Sequence, residues 1–340
     1  MDPRRCVRWS SFAFLLAGAS AHADTFVGRY GAPGDPDVVR VFANGANGDV
    51  APTRLLGGPA ALLQNANDFF YEPVEHVLYV SDFFGQAIRV FAFGAQGDVA
   101  PLRSFSGAWL GQPRDLVVLP AHQAILTIGA LSNVATYDQF ASGTVSPVRV
   151  ITWGGLTQLD NPSGLAYWPP TEEMYVGELD ANGGKILVFP RTASGNVAPS
   201  RVISGANTQL GDWIMALAVH PVLPELYALV SVGSPSTGRI LTFGVSAAGN
   251  ATPTRVIAGG ATLLEDISSL DYDARTDEFV VVAKPSTSAI PAILRFPRTA
   301  QGDVAPTGNL SGPNTGLANS WGVLVATSDR LFRDGFNAGP

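Results

Sequence analysis

The sequence Gly48-Asp49-Val50-Ala51-Pro52 is the first of six copies of one short motif, and its recurrence indicates a repeat fold. The copies follow one another at intervals of 46 to 54 residues along a chain of 340 residues. Self-similarity at a period of this size is the signature of a repeat architecture. The other five copies are Gly97-Asp98-Val99-Ala100-Pro101, Gly143-Thr144-Val145-Ser146-Pro147, Gly195-Asn196-Val197-Ala198-Pro199, Gly249-Asn250-Ala251-Thr252-Pro253 and Gly302-Asp303-Val304-Ala305-Pro306.

Each copy of the motif separates two short apolar segments with the composition of β-strands. In the fourth repeat, Ile186–Phe189 precedes the motif and Arg201–Ile203 follows it. The glycine supplies the positive φ of a hairpin loop, and we expect the adjacent Asp or Asn to bond its own turn backbone. An arginine follows the proline in five copies, and we expect this charge on an outer strand to discourage edge-to-edge pairing.

Two further strands lie between successive copies, as Leu165–Tyr167 and Met174–Val176 illustrate. Each unit therefore has four strands, which we label a to d from the centre outward. A four-stranded unit of this length has the dimensions of a propeller blade, whereas solenoid repeats are shorter and need polar terminal caps.

The two ends of the repeat region are complementary. The N-terminal segment supplies strands b, c and d of one unit as Thr25–Tyr30, Val38–Phe42 and Arg54–Leu56, without a strand a. Near the C-terminus, Trp321–Ala326 is an apolar strand without a unit of its own. The sequence thus predicts an all-β, six-bladed β-propeller of four-stranded antiparallel blades over residues 24–328, closed by N- and C-terminal strands in one blade.

The first 23 residues have the three parts of a secretory signal peptide. Arg4, Arg5 and Arg8 precede a short apolar run, and Ala21-His22-Ala23 matches a small-x-small cleavage site. We expect a secreted or periplasmic protein that loses Cys6, its one cysteine, on cleavage. Residues 329–340 are predicted to form a C-terminal tail.

Composition excludes some partner classes. The chain is 46% hydrophobic and 14% charged, with a net charge of −7. Its only lysines are Lys185 and Lys284, so the clustered basic face of a nucleic-acid-binding protein is missing from the sequence. After residue 24, no apolar stretch approaches the roughly 20 residues of a membrane span.

The pattern Leu165-Ala166-Tyr167, Met174-Tyr175-Val176 and Ile186-Leu187-Val188-Phe189 resembles the blades of the NHL-type and gluconolactonase-like six-bladed propellers. The resemblance covers residues 25–326 and implies the fold. Separately, Leu331–Phe336 is similar to the Phe-x-Asp-Gly-Phe tail at the end of many exported proteobacterial proteins, which implies a bacterial source.

Strand order places polar and aromatic side chains at one mouth of the central channel, where the d–a and b–c loops meet. We take these residues as candidates for ligand binding. They are Asp68, Asp82, Arg114, Asp115, Asn161, Glu178, Asp180, Asp212, Trp213, Asp266 and Trp321.

Several interpretations of these residues remain open. Acids and amides of this kind bind divalent cations such as calcium, and the gluconolactonase-like propellers use such a set on a metal to open lactones. The alternative is that they satisfy loop backbone, which is the common role of polar loop residues. Trp213 and Trp321, with Trp109 and Trp153, provide either a stacking platform for ligands or, as we expect, packing between blades.

Catalytic signatures are weak in this sequence. His76, His122 and His220 fall in or beside a–b turns, at the mouth opposite the candidates, and no Gly-x-Ser-x-Gly elbow occurs. We therefore predict an exported module that binds a protein, peptide or glycan at the channel mouth, without a required cofactor. A metal-dependent hydrolase or lactonase using channel Asp and Glu, and a purely structural envelope protein, are the alternatives.

Overall fold

The computed structural model describes residues 23–29, 37–179, 183–233, 237–288 and 290–327. Over these ranges the chain forms 25 strands, of which 24 make six antiparallel four-stranded sheets. None of the helices in these ranges is long and apolar enough to cross a bilayer. All are single 3₁₀ turns: Pro120–His122, Pro169–Thr171, Ala206–Thr208, Gly260–Thr262 and Pro313–Thr315.

The six sheets are the blades, and in each one the strands run from the central channel outward in the order a, b, c, d. Blade 1 contains β25 (Ser320–Thr327), β1 (Ala23–Arg29), β2 (Val38–Ala43) and β3 (Arg54–Gly57). Blade 2 contains β4 (Ala66–Glu72), β5 (Val77–Asp82), β6 (Ala87–Ala92) and β7 (Arg103–Ser106). Blade 3 contains β8 (Pro113–Leu119), β9 (Ala124–Gly129), β10 (Val134–Asp138) and β12 (Arg149–Ile151).

The second half of the ring repeats the same order. Blade 4 contains β13 (Pro162–Trp168), β14 (Glu173–Glu178), β15 (Ile186–Pro190) and β16 (Arg201–Ile203). Blade 5 contains β17 (Trp213–Val219), β18 (Glu225–Val232), β19 (Thr237–Gly244) and β20 (Arg255–Ile257). Blade 6 contains β21 (Ser269–Asp273), β22 (Glu278–Ala283), β23 (Ala292–Pro297) and β24 (Gly308–Leu310).

The ring closes through blade 1, as the sequence predicts. β25 pairs antiparallel with β1, so that Phe26 lies opposite Leu324. Each inner strand also contacts the inner strands on either side of it, which completes a circle from β4 through β25 and back to β4. The predicted strand Thr25–Tyr30 begins two residues earlier, at Ala23, and Tyr30 lies outside the described residues.

The hydrophobic core lies between the blades. The buried apolar side chains of the described residues fall into six clusters, and each cluster is shared by two neighbouring blades. One cluster, for example, packs Phe26 and Val39 of blade 1 against Leu78 and Val80 of blade 2. Because no blade buries its faces alone, the six blades stabilise one another.

The recurring sequence motif lies in the loop between strands c and d. All six of these loops have ten residues, at 44–53, 93–102, 139–148, 191–200, 245–254 and 298–307. The motif glycines have φ between +60° and +80°, which confirms the predicted left-handed conformation. Each glycine pairs in parallel with strand d of the preceding blade. The pairs are Gly48 with Leu310, Gly97 with Leu56, Gly143 with Phe105, Gly195 with Ile151, Gly249 with Ile203 and Gly302 with Ile257.

The prediction that the motif Asp or Asn bonds its own turn is wrong, because this side chain reaches the preceding blade. Ala261 N donates to Asp303 Oδ1 at 2.7 Å, and Asn207 N donates to Asn250 Oδ1 at 2.7 Å. The amide that donates to this side chain lies just after strand d of the preceding blade. A glycine at this point leaves space for the side chain of the motif residue. A Cβ on Gly259 would lie 2.3 Å from Asp303 Oδ1. The motif is therefore the link between blades.

The outer-strand arginines make contacts within their own blade and with the next blade. Arg201 Nη2 donates to Val245 O of blade 5 at 2.6 Å and to Glu173 of its own blade at 2.8 Å. Arg103 similarly pairs with Glu75 of its own blade and donates to Gln139 O of blade 3 at 3.5 Å. These arginines therefore stabilise the ring, and their effect on edge-to-edge pairing stays a prediction.

We predict that Asp303→Ala lowers the free energy of unfolding by about 1 kcal/mol, because the Ala261 amide loses its acceptor. Asp303→Asn is the matched control and should change it by less than about 0.5 kcal/mol, since Asn250 makes the same bond in its own repeat. Urea unfolding of both variants checks this. Equal losses in the two variants would contradict the capping role.

Candidate functional site

A cavity of about 1100 Å³ runs along the axis inside the six inner strands. Its wall is mainly apolar and includes Phe70, Val117, Met215 and Leu324. We call the end framed by the d–a and b–c loops the upper mouth, and the end framed by the a–b turns the lower mouth. The volume is at the upper end of the range for small-molecule pockets.

The structure places the predicted site residues in three different settings. Those that line the cavity are Asp68, Arg114, Asp115, Asn161, Trp213 and Trp321. Asp82 and Glu178 are fully buried at the ends of β5 and β14, and Asp212 and Asp266 lie in loops. Asp180 lies outside the described residues.

Asp82 has a structural role. Its carboxylate pairs with Arg89 at 2.7 Å and accepts the backbone amides of Gln64 and Asn65 at 3.0 and 2.8 Å. These contacts hold the loop that enters β4 against the end of β5. Asp212 acts similarly on a smaller scale, because its carboxylate accepts the amide of Gly233 at 3.0 Å.

Arg114, Asn161 and Glu178 form a connected group at the upper mouth. Arg114 Nη1 donates to the side-chain oxygen of Asn161 and, at 3.1 Å, to the carbonyl of Pro162. Glu178 Oε2 accepts the amides of Asp160 and Asn161 at 3.0 and 2.7 Å, and burial raises the pKa of Glu178 to about 7. This group ties blade 3 to blade 4.

Three carboxyl groups lie on the cavity wall and cap the amides of neighbouring inner strands. Leu165 N donates to Asp115 Oδ2 at 2.7 Å, and Leu116 N donates to Asp68 Oδ2 at 3.3 Å. Val325 N donates to Asp271 Oδ2 at 2.6 Å. The inner edge of each inner strand has no pairing strand, so these carboxylates satisfy backbone donors that would otherwise face the cavity.

The pKa values of these three groups are raised, mainly by burial. Burial raises the pKa of Asp68 to about 6 and that of Asp271 to about 7. The pKa of Asp115 lies well above its ordinary value, because burial and the neighbouring charge of Asp68 both disfavour ionisation. Asp271 was missed by the sequence analysis, although an acid inside the apolar alternation Leu270-Asp271-Tyr272 is the signal that points to it.

The expectation that the tryptophans pack between blades is wrong for three of them, because their side chains are exposed. Trp153, Trp213 and Trp109 are 68%, 48% and 45% exposed. All three stand in or next to d–a loops, with the exposed Leu131 and Leu156 in loops of the same face. We call these five residues the tryptophan face. Trp321 is half-buried on the cavity wall.

The histidines lie in a–b turns, as predicted, and each has a local contact. His76 Nδ1 lies 2.8 Å from the Tyr71 hydroxyl, and His122 Nε2 lies 3.3 Å from Glu172 Oε1. His220 Nδ1 accepts the amides of Val222 and Leu223. Within the described ranges, His, Asp and Glu side chains form no group of three or more that would hold a metal ion. Calcium binding stays a prediction.

Comparison with known proteins identifies the fold. No family model matches the chain, and no curated protein matches it. A crystal structure of a nidogen–laminin complex contains a chain that superposes with a TM-score of 0.61 at 13% identity, covering 90% of this chain and 99% of the other. The chain is a six-bladed β-propeller. At this identity the likeness concerns the fold alone.

We predict that the stability of the propeller falls as the pH rises from about 4 to about 7 in the part contributed by Asp68, Asp115 and Asp271. Over this window the unfolded carboxyls lose their protons first, so the folded state binds more protons and the free energy of unfolding decreases with pH. Asp271→Asn removes one titration and keeps an acceptor for Val325. At about pH 8 it should raise the free energy of unfolding by about 1–2 kcal/mol, with almost no change at about pH 4.

Urea unfolding at the two pH values measures this difference. Asp303→Asn serves as the control, since it removes the same charge from an exposed loop and should not raise the free energy of unfolding at about pH 8. Parallel pH profiles for wild type and Asp271→Asn would show that Asp271 is not protonated in the folded protein.

Proposed function

We propose that this protein is an exported binding module whose tryptophan face and upper mouth hold a protein, peptide or glycan ligand. The observation that carries the proposal is the exposure of Trp109, Trp153 and Trp213 on one face of the ring. A folded protein gains nothing in stability from leaving three such side chains in water. Exposed apolar groups gathered on one face are typical of interaction surfaces.

The chemistry of this face suits recognition. Tryptophan and arginine are the residues most enriched at the energetic centres of protein interfaces, and Arg114 lies at the mouth beside the tryptophan face. Indole rings also stack on the apolar faces of sugars, which keeps glycans within the proposal. The next blade caps the loops of Trp153 and Trp213, because Leu156 N donates to Asn196 Oδ1 at 3.2 Å and Asn207 N donates to Asn250 Oδ1 at 2.7 Å. The face is therefore preorganised.

Export is the second part of the proposal, and it is supported by the sequence. The basic segment, the apolar run and the Ala21-His22-Ala23 site occur in the order of a signal peptide. Cleavage after Ala23 would leave Asp24 within β1, where it pairs with Arg54. A periplasmic or secreted bacterial protein related to the NHL-type and gluconolactonase-like propellers fits these features and the tail at Leu331–Phe336.

We predict that ligands selected from a glycan array or a peptide library lose at least about tenfold in affinity on Trp153→Ala or Trp213→Ala. The reason is that each variant removes a large exposed ring from the proposed contact surface. Leu102→Ala is the matched control, because Leu102 is 64% exposed but lies near the outer strand of blade 2. If no selected ligand loses affinity for the tryptophan variants, or if Leu102→Ala lowers the affinity equally, the tryptophan face is not the binding surface.

A further inference from the structure

Over the described ranges, three acids on the cavity wall lack the basic partner that the buried acids Asp82 and Asp273 have. Asp82 pairs with Arg89, and Asp273 pairs with Arg295. Asp68, Asp115 and Asp271 line the cavity, and no arginine or lysine among the described residues lies within ion-pair distance of them. Backbone amides donate to all three carboxyl groups, and Asp68 and Asp115 are also hydrogen-bonded to each other. Positive charge is therefore missing beside these three carboxyls within the described part of the chain.

The remainder of the cavity wall strengthens this contrast. Arg114 is the only arginine or lysine among the described residues that line the cavity, and Asn161 and Pro162 hold it at the upper mouth. The wall between the mouths is formed mostly by apolar side chains, such as Phe70 and Leu324. The other titratable groups that line the cavity are Tyr71, Glu72, His122, Tyr167, His220, Tyr272 and Asp273. Between the two mouths, an occupant meets an apolar surface on which most of the groups that can carry a charge are acidic.

We propose that the channel binds an organic ammonium ion that carries an apolar body, with its charged group at Asp68, Asp115 and Asp271. This goes beyond the proposed function, since it concerns the interior of the ring and not the tryptophan face. The apolar body removes water from the wall, and the ammonium group supplies the positive charge that the protein does not. A cavity of about 1100 Å³ has room for such a molecule.

Binding of the cation should release protons. Burial raises the pKa of Asp68 to about 6 and that of Asp271 to about 7, so these carboxyls carry protons over part of the neutral range. An ammonium ion favours their ionised forms and displaces those protons. The affinity should therefore increase from about pH 5 to about pH 8, while the amine itself stays charged.

The test uses naphthylmethylamine as the cationic probe and naphthylmethanol as its neutral counterpart, with binding to the full-length protein measured by calorimetry. The amine should bind at least about tenfold more tightly than the alcohol at about pH 8 and should release protons in buffers of different ionisation enthalpy. Asp68→Asn and Asp271→Asn should each weaken the amine at least about tenfold, with little change in the alcohol.

Asp303→Asn is the charge-matched control and should leave the affinity for the amine unchanged. Circular dichroism of each variant establishes that it is folded, and the asparagines keep an acceptor for the inner-strand amides. Equal binding of amine and alcohol, or no saturable binding of the amine, would overturn the proposal. So would an Asp303→Asn variant that loses as much affinity as the channel variants.

Discussion

Deletion of residues 320–340 is expected to leave a chain that no longer unfolds cooperatively. The deletion removes β25, so β1 loses one of its two strand partners, and Val323 and Val325 no longer cover the core cluster between blades 6 and 1. The inner strands β4 and β21 lose their neighbour in the ring as well. At about 1.5–3 kcal/mol for each buried apolar side chain, together with the lost strand pairing, the loss is of the same order as the roughly 5–15 kcal/mol that stabilises an ordinary domain.

Differential scanning calorimetry and binding of a hydrophobic dye measure this outcome. The matched control is deletion of residues 329–340 alone, the predicted tail, which should preserve the melting transition of the intact protein. If the longer deletion melts at the same temperature with the same enthalpy, then the ring does not depend on the strand contributed by the C-terminal segment.

The second large effect is expected for Arg295→Met. Arg295 is 5% exposed, and its guanidinium contacts Asp273 at 3.2 Å and Glu278 at 3.3 Å. It also donates to Thr25 and Asn44 of blade 1. The variant leaves Asp273 buried without its cation, and breaking a buried pair of this kind costs about 3–5 kcal/mol.

Urea unfolding at neutral pH gives the change in free energy. Arg191→Met is the control, because the partner of Arg191 is Glu172, whose side chain is 47% exposed, and pairs of that kind contribute about 1 kcal/mol or less. A loss for Arg295→Met no larger than that of the control would mean that the contact between blades 6 and 1 is not energetically important.

The fold could be predicted from the sequence because its signal is local and repeated. Every motif glycine has a φ between +60° and +80°, and the number of motif copies gives the number of blades directly. The absence of a first inner strand and the presence of a final one then predict closure. These inferences need only strand periodicity and turn chemistry, which neighbouring residues determine.

The site was less predictable because it depends on contacts between blades. Asp303 bonds an amide 42 positions away, and the role of Asp271 depends on Val325 of a different blade. The exposure of Trp153 depends on which side of a loop its ring occupies, and composition does not encode this. The sequence suggested a ligand-binding role for Asp82 because it does not show that Arg89, on the neighbouring strand, points toward the Asp82 carboxylate and pairs with it.

The c–d loops all have the same length, whereas the b–c connections vary in length. The two kinds of loop therefore differ in how well they tolerate insertions and deletions. Ten residues separate strands c and d in every blade, whereas the b–c connection has four residues in blade 2 (83–86) and eight in blade 6 (284–291). An insertion in a c–d loop would displace a glycine that must reach the adjacent blade. The b–c connections carry no such constraint and surround the upper mouth. Recognition can therefore diversify there during evolution while the architecture that supports it is inherited intact.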